Sequence, residues 1–538
     1  MDTEVKTFWN EVRRNFPPEK HLIVLSYYYL EVLSQKQPES EILKTDIKSY
    51  FMRELSEKEL DLIATFSNED FELEDLKKLL IDFFTMVDYS QQIMHSSSNE
   101  SILNLTSSYF DFTESGFADF CSGNGAMLSK ALKNSAENIK GIEINRLSQQ
   151  LSILRLWLEQ GALLTDEIIH ADVFEYFEKN PGEKFHQIFS EFPLGLRRKE
   201  KYIFEGIELN QNSDWGFISL VMNQLEEDGR AVVISTVGIE TRKSDEKIRE
   251  HFIGEGYIEE IIALPAGILT GTGIPSFMMV LSYGNESIRF TDASEIYSKV
   301  GRVRLLEKKD IENIINSENI KVEVPIEKVL QKGRLSPEYY LLPEIKEGIK
   351  LEKIADILNS RPVRKKEIDE YSTAENSGIQ LIRLSHVKDG QILDGDFISK
   401  AMPKLVELKN LDLIVTRTGS TLNVALYQEE EDMRSFVDEN FFVVRLIHED
   451  WNPYYLFAYL QSEMGQKYLS SVYSGTTIQR VNKKDLLQLD IPVMELSLQK
   501  IIAEKTREYL EKINQLQFSL EMVKDEKDEE ISSWFKEG

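Results

Sequence analysis

The sequence predicts an α/β fold: a parallel sheet with crossover helices behind a helical N-terminal domain, followed by a smaller α+β domain and one long coiled-coil-like helix. Three observations carry that prediction. Residues 1–105 place apolar side chains three and four apart, as in HLIVLSYYYLEVLSQ and DLKKLLIDFFTMVDY, which is the period of amphipathic helices. Residues 106–300 alternate short apolar runs with helix-period segments, the mark of parallel strands joined by crossover helices. Beyond residue 351 the chain becomes strand-rich, with turn residues between the strands.

The elements follow in order. GFADF, IKGIEI, EIIHADV, QIFSEF and AVVIST read as strands, with AMLSKAL, LSQQLSILRLWLEQ and DWGFISLVMNQL as the helices between them. IEEIIALP and SFMMVLSYG complete the sheet. Ile261 to Tyr283 carries no charged side chain, but Pro265, Gly267, Gly271, Gly273 and Pro275 break it into two buried strands joined by a loop, not a membrane span. Residues 301–350, with Pro325, Pro337 and Pro343, read as a connector. A second domain over 351–495 contains QLIRLSHVKDGQIL, LDLIVTRTGS and FFVVRLI. Over 496–538 a long helix begins near Leu496 and ends in an acidic tail. Its Ile502, Tyr509, Ile513, Leu516, Leu520 and Val523 fall in a four/three alternation, which is coiled-coil spacing.

Composition narrows the function classes. Of 538 residues, 41% are hydrophobic and 29% charged, which suits ordinary globular cores and excludes a disordered or collagen-like chain. The formal charge of −29 argues against broad, sequence-independent attraction to nucleic acid and leaves room for a local basic cleft. A lone Cys121 forms no internal disulfide, and one Cys with seven His shows no zinc spacing, so no metal is expected. The N-terminus MDTEVKTFWNEVRRNF lacks a signal-peptide core, and the expected location is the cytoplasm.

The first candidate site is the turn Asp119-Phe120-Cys121-Ser122-Gly123-Asn124-Gly125, between the strand GFADF and the helix AMLSKAL. Glycines at a strand-to-helix turn let the backbone approach a ligand closely, and the helix start favours anionic or polarised groups. A plain structural turn is the alternative. Glu143, about twenty residues on at the end of IKGIEI, is placed to hold a ribose hydroxyl pair. Asp172, after the third strand, either accepts from an adenine amino group or caps the next helix.

The ordered set ADFCSGNGAML, GIEIN, HADVF, DWGFISLVMNQLEEDGRAVVIS and IIALPAGILTGTGIPSFMMVL resembles the modification subunits of type I restriction-modification systems. The resemblance covers roughly residues 1 to 300. It implies a Rossmann-like methyltransferase core that transfers methyl from S-adenosylmethionine to adenine N6 in DNA. By it, Asp119, Cys121, Gly123 and Gly125 belong to the cofactor loop, Glu143 contacts the ribose and Asp172 the adenine.

Two departures from the family stand out. Where the family has Asn-Pro-Pro and an aromatic residue after the fourth strand, this chain has Glu191-Phe192-Pro193-Leu194 before Gly195. Glu191 and the Phe192 carbonyl would accept the amino hydrogens of a flipped adenine, but Leu194 offers no π face. The resemblance therefore leaves two readings open: an active methyltransferase, or a catalytically dead homologue acting in DNA binding or assembly. The second departure is in HSSSNESILNLTSSYF, which lacks the family's Gly and Thr-Pro pair.

From Leu351 the motifs LEKIADIL, LDLIVTRTGSTLNVALYQ, SGTTIQRVNKKDLLQLDIPV and SLQKIIAEKTREYLEKI resemble half of a type I specificity subunit, one target-recognition domain with one helix. That implies sequence-specific binding of double-stranded DNA. Arg361, Arg364, Lys365 and Lys366 form one basic cluster, and Arg480, Lys483 and Lys484 another, with Arg417 and Thr418 beside Gly419 in a tight turn. Such groups hold phosphates or read base edges, and the alternative for each is a solvated surface charge. In the family two recognition domains are joined by two helices. The C-terminal helix is thus a surface for self-association or for pairing with other restriction-modification subunits, or it packs on its own chain.

Overall fold

The computed structural model describes residues 3–66, 72–89, 99–113, 116–198, 200–211, 214–269, 273–301, 303–343, 345, 347–388, 390–418, 423–471, 473–474 and 480–535. The chain forms two compact units, 1–341 and 342–538. Among the described residues no helix is long and apolar enough to cross a membrane.

Unit 1 is built on a nine-stranded sheet. Its strands are β1 (Phe117–Phe120), β2 (Ile139–Glu143), β3 (Ile168–His170), β4 (Phe185–Ser190), β5 (Leu225–Thr236), β6 (Ile258–Leu264), β7 (Ser276–Leu281), β8 (Ser287–Asp292) and β9 (Lys321–Pro325). The spatial order is β9-β8-β6-β7-β5-β4-β1-β2-β3. Strands β3, β2, β1, β4 and β5 run parallel, while β7 runs antiparallel between β5 and β6. The parallel strands end together on one edge. The chain leaves β1 toward β2 on one side and later returns to β4 on the other, so the crevice at that switch lies above β1.

β1 is buried at all four positions and β7 at all six, as strands covered on both faces must be. One face of the sheet shares a continuous core with the N-terminal helices. Tyr28, Leu33, Phe51 and Phe84 belong to the same cluster as Phe117, Leu128, Leu154 and Val232. The helical N-terminus is therefore a layer of unit 1. The stretch expected as a connector over 301–350 also differs from that expectation: β9 pairs with β8, and the helix Ile326–Lys332 follows within unit 1. Its alternating, half-exposed pattern is that of an edge strand, which proline spacing alone does not distinguish from a loop.

Unit 2 holds two four-stranded sheets. One orders Ala355–Leu358, Phe441–Leu446, Leu413–Thr416 and Val424–Leu426, and the other Asp396–Phe397, Ile379–Ile382, Arg434–Val437 and Val406–Glu407. Leu351, Val415, Phe442, Leu456 and Leu460 form the larger core. The C-terminal helix, Leu496–Trp534, has 39 residues, about 58 Å at 1.5 Å per residue. Gln499 and Ala503 are buried in its first turns, whereas every described side chain from Glu511 to Phe535 is exposed. Midway along it Asn514 accepts from Gln391 (3.1 Å) and donates to Gln428 (3.2 Å), and Gln517 also donates to Gln391.

Candidate active site

The turn after β1 is held from the neighbouring strand. The N–H groups of Cys121 and Ser122 both donate to the Ile142 carbonyl (3.0 Å), and Gly125 N–H returns to the Ser122 carbonyl (2.9 Å). Three residues adopt left-handed backbone: Cys121 (φ 70°), Gly123 (φ 53°) and Gly125 (φ 77°). For Cys121 that conformation is uncommon and mildly strained, as is often seen at binding turns. At Gly125 a Cβ would lie 2.2 Å from Ser152 Oγ, so the close approach of turn and helix requires glycine. Asn124 accepts from Arg155 (3.1 Å), whose Nε donates to Glu159 (2.9 Å) and whose guanidinium lies 5.5 Å from the Phe84 ring. The N-terminal helical layer thereby braces the turn.

Register brings the acidic groups together. Phe120 pairs with Ile142 on β2 and Asp119 with Phe189 on β4, so Cys121 lies level with Glu143 on one side and Glu191 on the other. Glu143, 6% exposed, accepts from Gly123 N–H (2.8 Å) and Asn145 N–H (2.7 Å). Burial still pushes its carboxyl above the usual range, against those two bonds. Asp119 is 2% exposed and its Oδ1 has no hydrogen-bond partner. Burial raises its carboxyl well above the ordinary value, and the charges of Glu143 and Glu191 add to the shift. The Cys121 thiol is likewise pushed up, by burial first and then by Glu143, Asp119 and Asp172.

Asp172 caps the helix Val173–Lys179, accepting from Phe174 N–H (2.8 Å) and Glu175 N–H (3.3 Å) through one oxygen. Ile144, directly after Glu143, is 63% exposed on the same rim. The segment after β4 packs partly into the core. Phe192 is 1% exposed and stacks on Phe217 (4.7 Å, 8°), so its ring belongs to the core, leaving only its backbone available to a base. Pro193 is exposed, and half-buried Leu194 packs against both core clusters of the unit.

Sequence reasoning missed three supports. Ser190 Oγ donates to the Phe120 carbonyl (2.6 Å), tying the ends of β1 and β4. Asp214, 3% exposed, accepts from Thr236 Oγ (2.6 Å) and Gly195 N–H (3.4 Å), fixing the 191–195 segment to β5. Arg198 lies 3.4 Å from the Phe174 ring, in the field of Asp172. Asp214 carried a signal, an acid directly before the apolar helix Trp215–Gln224. The other two depend on contacts that no local pattern reports.

In unit 2, Arg361, Arg364, Lys365 and Lys366 are exposed at the start of the helix Lys365–Tyr371, and Lys483 and Lys484 are exposed in the first turn of Lys483–Leu487. Arg417 has a more enclosed setting. It is half-buried, with its side chain donating to the Glu439 carbonyl (3.5 Å), its Cζ 5.3 Å from the Phe442 ring and its backbone carbonyl accepting from Val481. Thr418 donates to Asn440 (2.8 Å). The Arg480 side chain, Gly419, and residues 95–98 of the HSSSNESILNLTSSYF stretch lie outside the described residues.

A parallel sheet with a left-handed glycine turn after its first strand and a buried carboxylate ending the second is the arrangement of the Rossmann-like nucleotide-binding class. Residues 99–329 match the N-6 DNA methylase family, and residues 346–521 match the type I restriction modification DNA specificity domain. One polypeptide thus carries a segment that matches an N-6 DNA methylase family and a segment that matches a type I specificity domain. A curated relative, the type I restriction enzyme MpnII methylase subunit of Mycoplasma pneumoniae, is 22% identical over 233 residues, 38% of this chain and 43% of that protein. This chain therefore spans less than half of that relative. Among solved structures, the type I restriction-modification methyltransferase subunit from Streptococcus thermophilus is 15% identical, with a TM-score of 0.48 over 61% of this chain and 96% of that one. The type IIG restriction endonuclease BpuSI is 14% identical, with a TM-score of 0.43 over 94% of this chain and 75% of that one.

Proposed function

We propose that the protein is a site-specific adenine-N6 DNA methyltransferase that uses S-adenosylmethionine and carries its own target-recognition domain. The observation that carries this reading is the convergence of Asp119, the Cys121–Gly125 turn and Glu143 beside the 191–195 segment. The residues fit the cofactor. Asp119 Oδ1 is a buried acceptor without a partner and suits an ammonium group, while both Glu143 oxygens retain lone pairs for ribose hydroxyls. Ile144 supplies an exposed apolar surface for an adenine ring. The second Asp172 oxygen remains for the adenine amino group.

When bound, S-adenosylmethionine supplies an electrophilic methyl group. Glu191 and the Phe192 carbonyl accept the two amino hydrogens of the flipped target adenine, which keeps electron density on its N6. Asp214 and Ser190 fix that segment to β5 and β1; a shift of about 1 Å would cost on the order of a hundredfold in rate. Duplex DNA is held through the exposed lysines and arginines of unit 2.

The C-terminal helix supports association with a second copy. Its first half carries Lys500, Lys505, Arg507 and Lys512 against three glutamates, and its second half two lysines against six carboxylates. Antiparallel pairing sets unlike halves together. Calorimetric titration with S-adenosylmethionine, with Glu143→Ala as control, tests the central reading. Micromolar binding lost in the variant, together with methyl incorporation into adenine of duplex DNA, is the expected result. No binding by the wild-type protein would leave a DNA-recognition or assembly protein.

A further inference from the structure

Glu191 is the residue that makes this pocket chemically unusual, because it adds a third carboxylate to a site already holding Asp119 and Glu143. Neighbouring strands are about 4.8 Å apart, and the register sets Glu143 and Glu191 on the two strands flanking Cys121. Asp119 lies two residues back on the same face of β1, 2% exposed, with an oxygen that no protein group satisfies. The charges acting on Asp119 from its neighbours are both negative. An acceptor set of this kind, buried beside a strand-to-helix turn, is complementary to a cation.

We propose that the Glu191 carboxylate makes the pocket selective for the positively charged sulfonium of S-adenosylmethionine over the neutral thioether of S-adenosylhomocysteine. The proposal rests on the cofactor reading above and assigns Glu191 a specificity role within it. The two ligands share adenine, ribose, ammonium and carboxylate and differ by one methyl group and one unit of charge. Contacts from Glu143, Asp172 and Ile144 therefore serve both equally, and only a charge near the sulfur separates them. A carboxylate anywhere between about 6 and 12 Å from that charge, at an effective dielectric of about 20, corresponds to a preference on the order of a hundred- to tenfold. A neutral amide at the same place supplies hydrogen-bond acceptors without that preference.

The test is calorimetric titration of the full chain with each ligand separately, comparing wild type, Glu191→Gln and Glu191→Asp. Wild type is expected to bind S-adenosylmethionine at least tenfold more tightly than S-adenosylhomocysteine. Glu191→Gln should lose tenfold or more for the sulfonium while its affinity for the thioether stays within twofold, which also reports that the pocket remains folded. Glu191→Asp should keep the preference. Equal changes for the two ligands, or no change for either, would overturn the proposal. Wild-type binding without preference sinks the proposal alone, whereas no binding of either ligand sinks the cofactor reading with it.

Discussion

Asp119 places a carboxyl group where water cannot reach it and where its neighbours are also acidic. Its folded-state pKa is raised, so the folded protein holds that proton more tightly than the unfolded chain does. The stability linked to this group is fully present below the unfolded value near pH 4 and is lost as pH rises toward the folded value. Asp119→Asn should therefore raise the melting temperature by about 2–4 °C or more near pH 7.5, with the gain shrinking toward pH 4, as measured by thermal melts across that range. The same variant should weaken S-adenosylmethionine, because the amide no longer offers a charge to the ammonium; a stabilised but poorly binding protein is the expected signature. For Asp172 the two roles separate differently. Asp172→Ala should cost about 1 kcal/mol through the lost helix cap, while Asp172→Asn should keep the cap and still weaken cofactor binding, since its NH2 faces an adenine amino group. Chemical denaturation beside calorimetry distinguishes them. Asp119, Glu143 and Glu191 were legible in the sequence because each lies at or within one residue of the end of a strand whose boundaries local pattern reveals. The burial of the Phe192 ring was not, because its partner Phe217 is 25 positions away and only the folded core pairs them.

At the level of elements, the turn after β1 is rigid because three others hold it: β2 by backbone bonds, the helix Arg146–Gln160 through Arg155, and the N-terminal layer through Phe84. Gly125→Ala should destabilise unit 1 by about 2–3 kcal/mol in urea unfolding, since it combines a left-handed backbone with a Cβ overlapping Ser152. Ser152→Gly in the same background should recover part of that loss and no more, because the backbone term remains. The alternation of strands and helices in unit 1 was readable from hydrophobic period. Strand β9 was not, since an edge strand of alternating exposure looks like a charged linker until its partner β8 is known. For Arg417 the sequence shows the charge, offered as a phosphate or base-edge contact or a solvated surface group, and hides the Phe442 ring and Glu439 carbonyl beside it.

At the scale of the whole molecule, a net charge of −29 makes any DNA contact local and strongly dependent on salt. Replacing both Lys483 and Lys484 with alanine should lower the slope of log K against log salt by about two if each holds a phosphate, measured by fluorescence anisotropy with duplex DNA. An unchanged slope would return both to the solvated surface. The exposed apolar row on the C-terminal helix makes a second prediction: sedimentation should show a dimer, and Leu516→Glu with Val523→Glu should reduce it to a monomer while leaving the melting temperature of either unit within about 2 °C. The division into two compact units on one chain has a further outcome that concerns dosage. One translation event yields one unit of each kind, so their ratio stays at one to one however strongly the gene is expressed, and dilution cannot part them as it parts separate subunits. Neither unit of this chain can therefore accumulate in excess of the other.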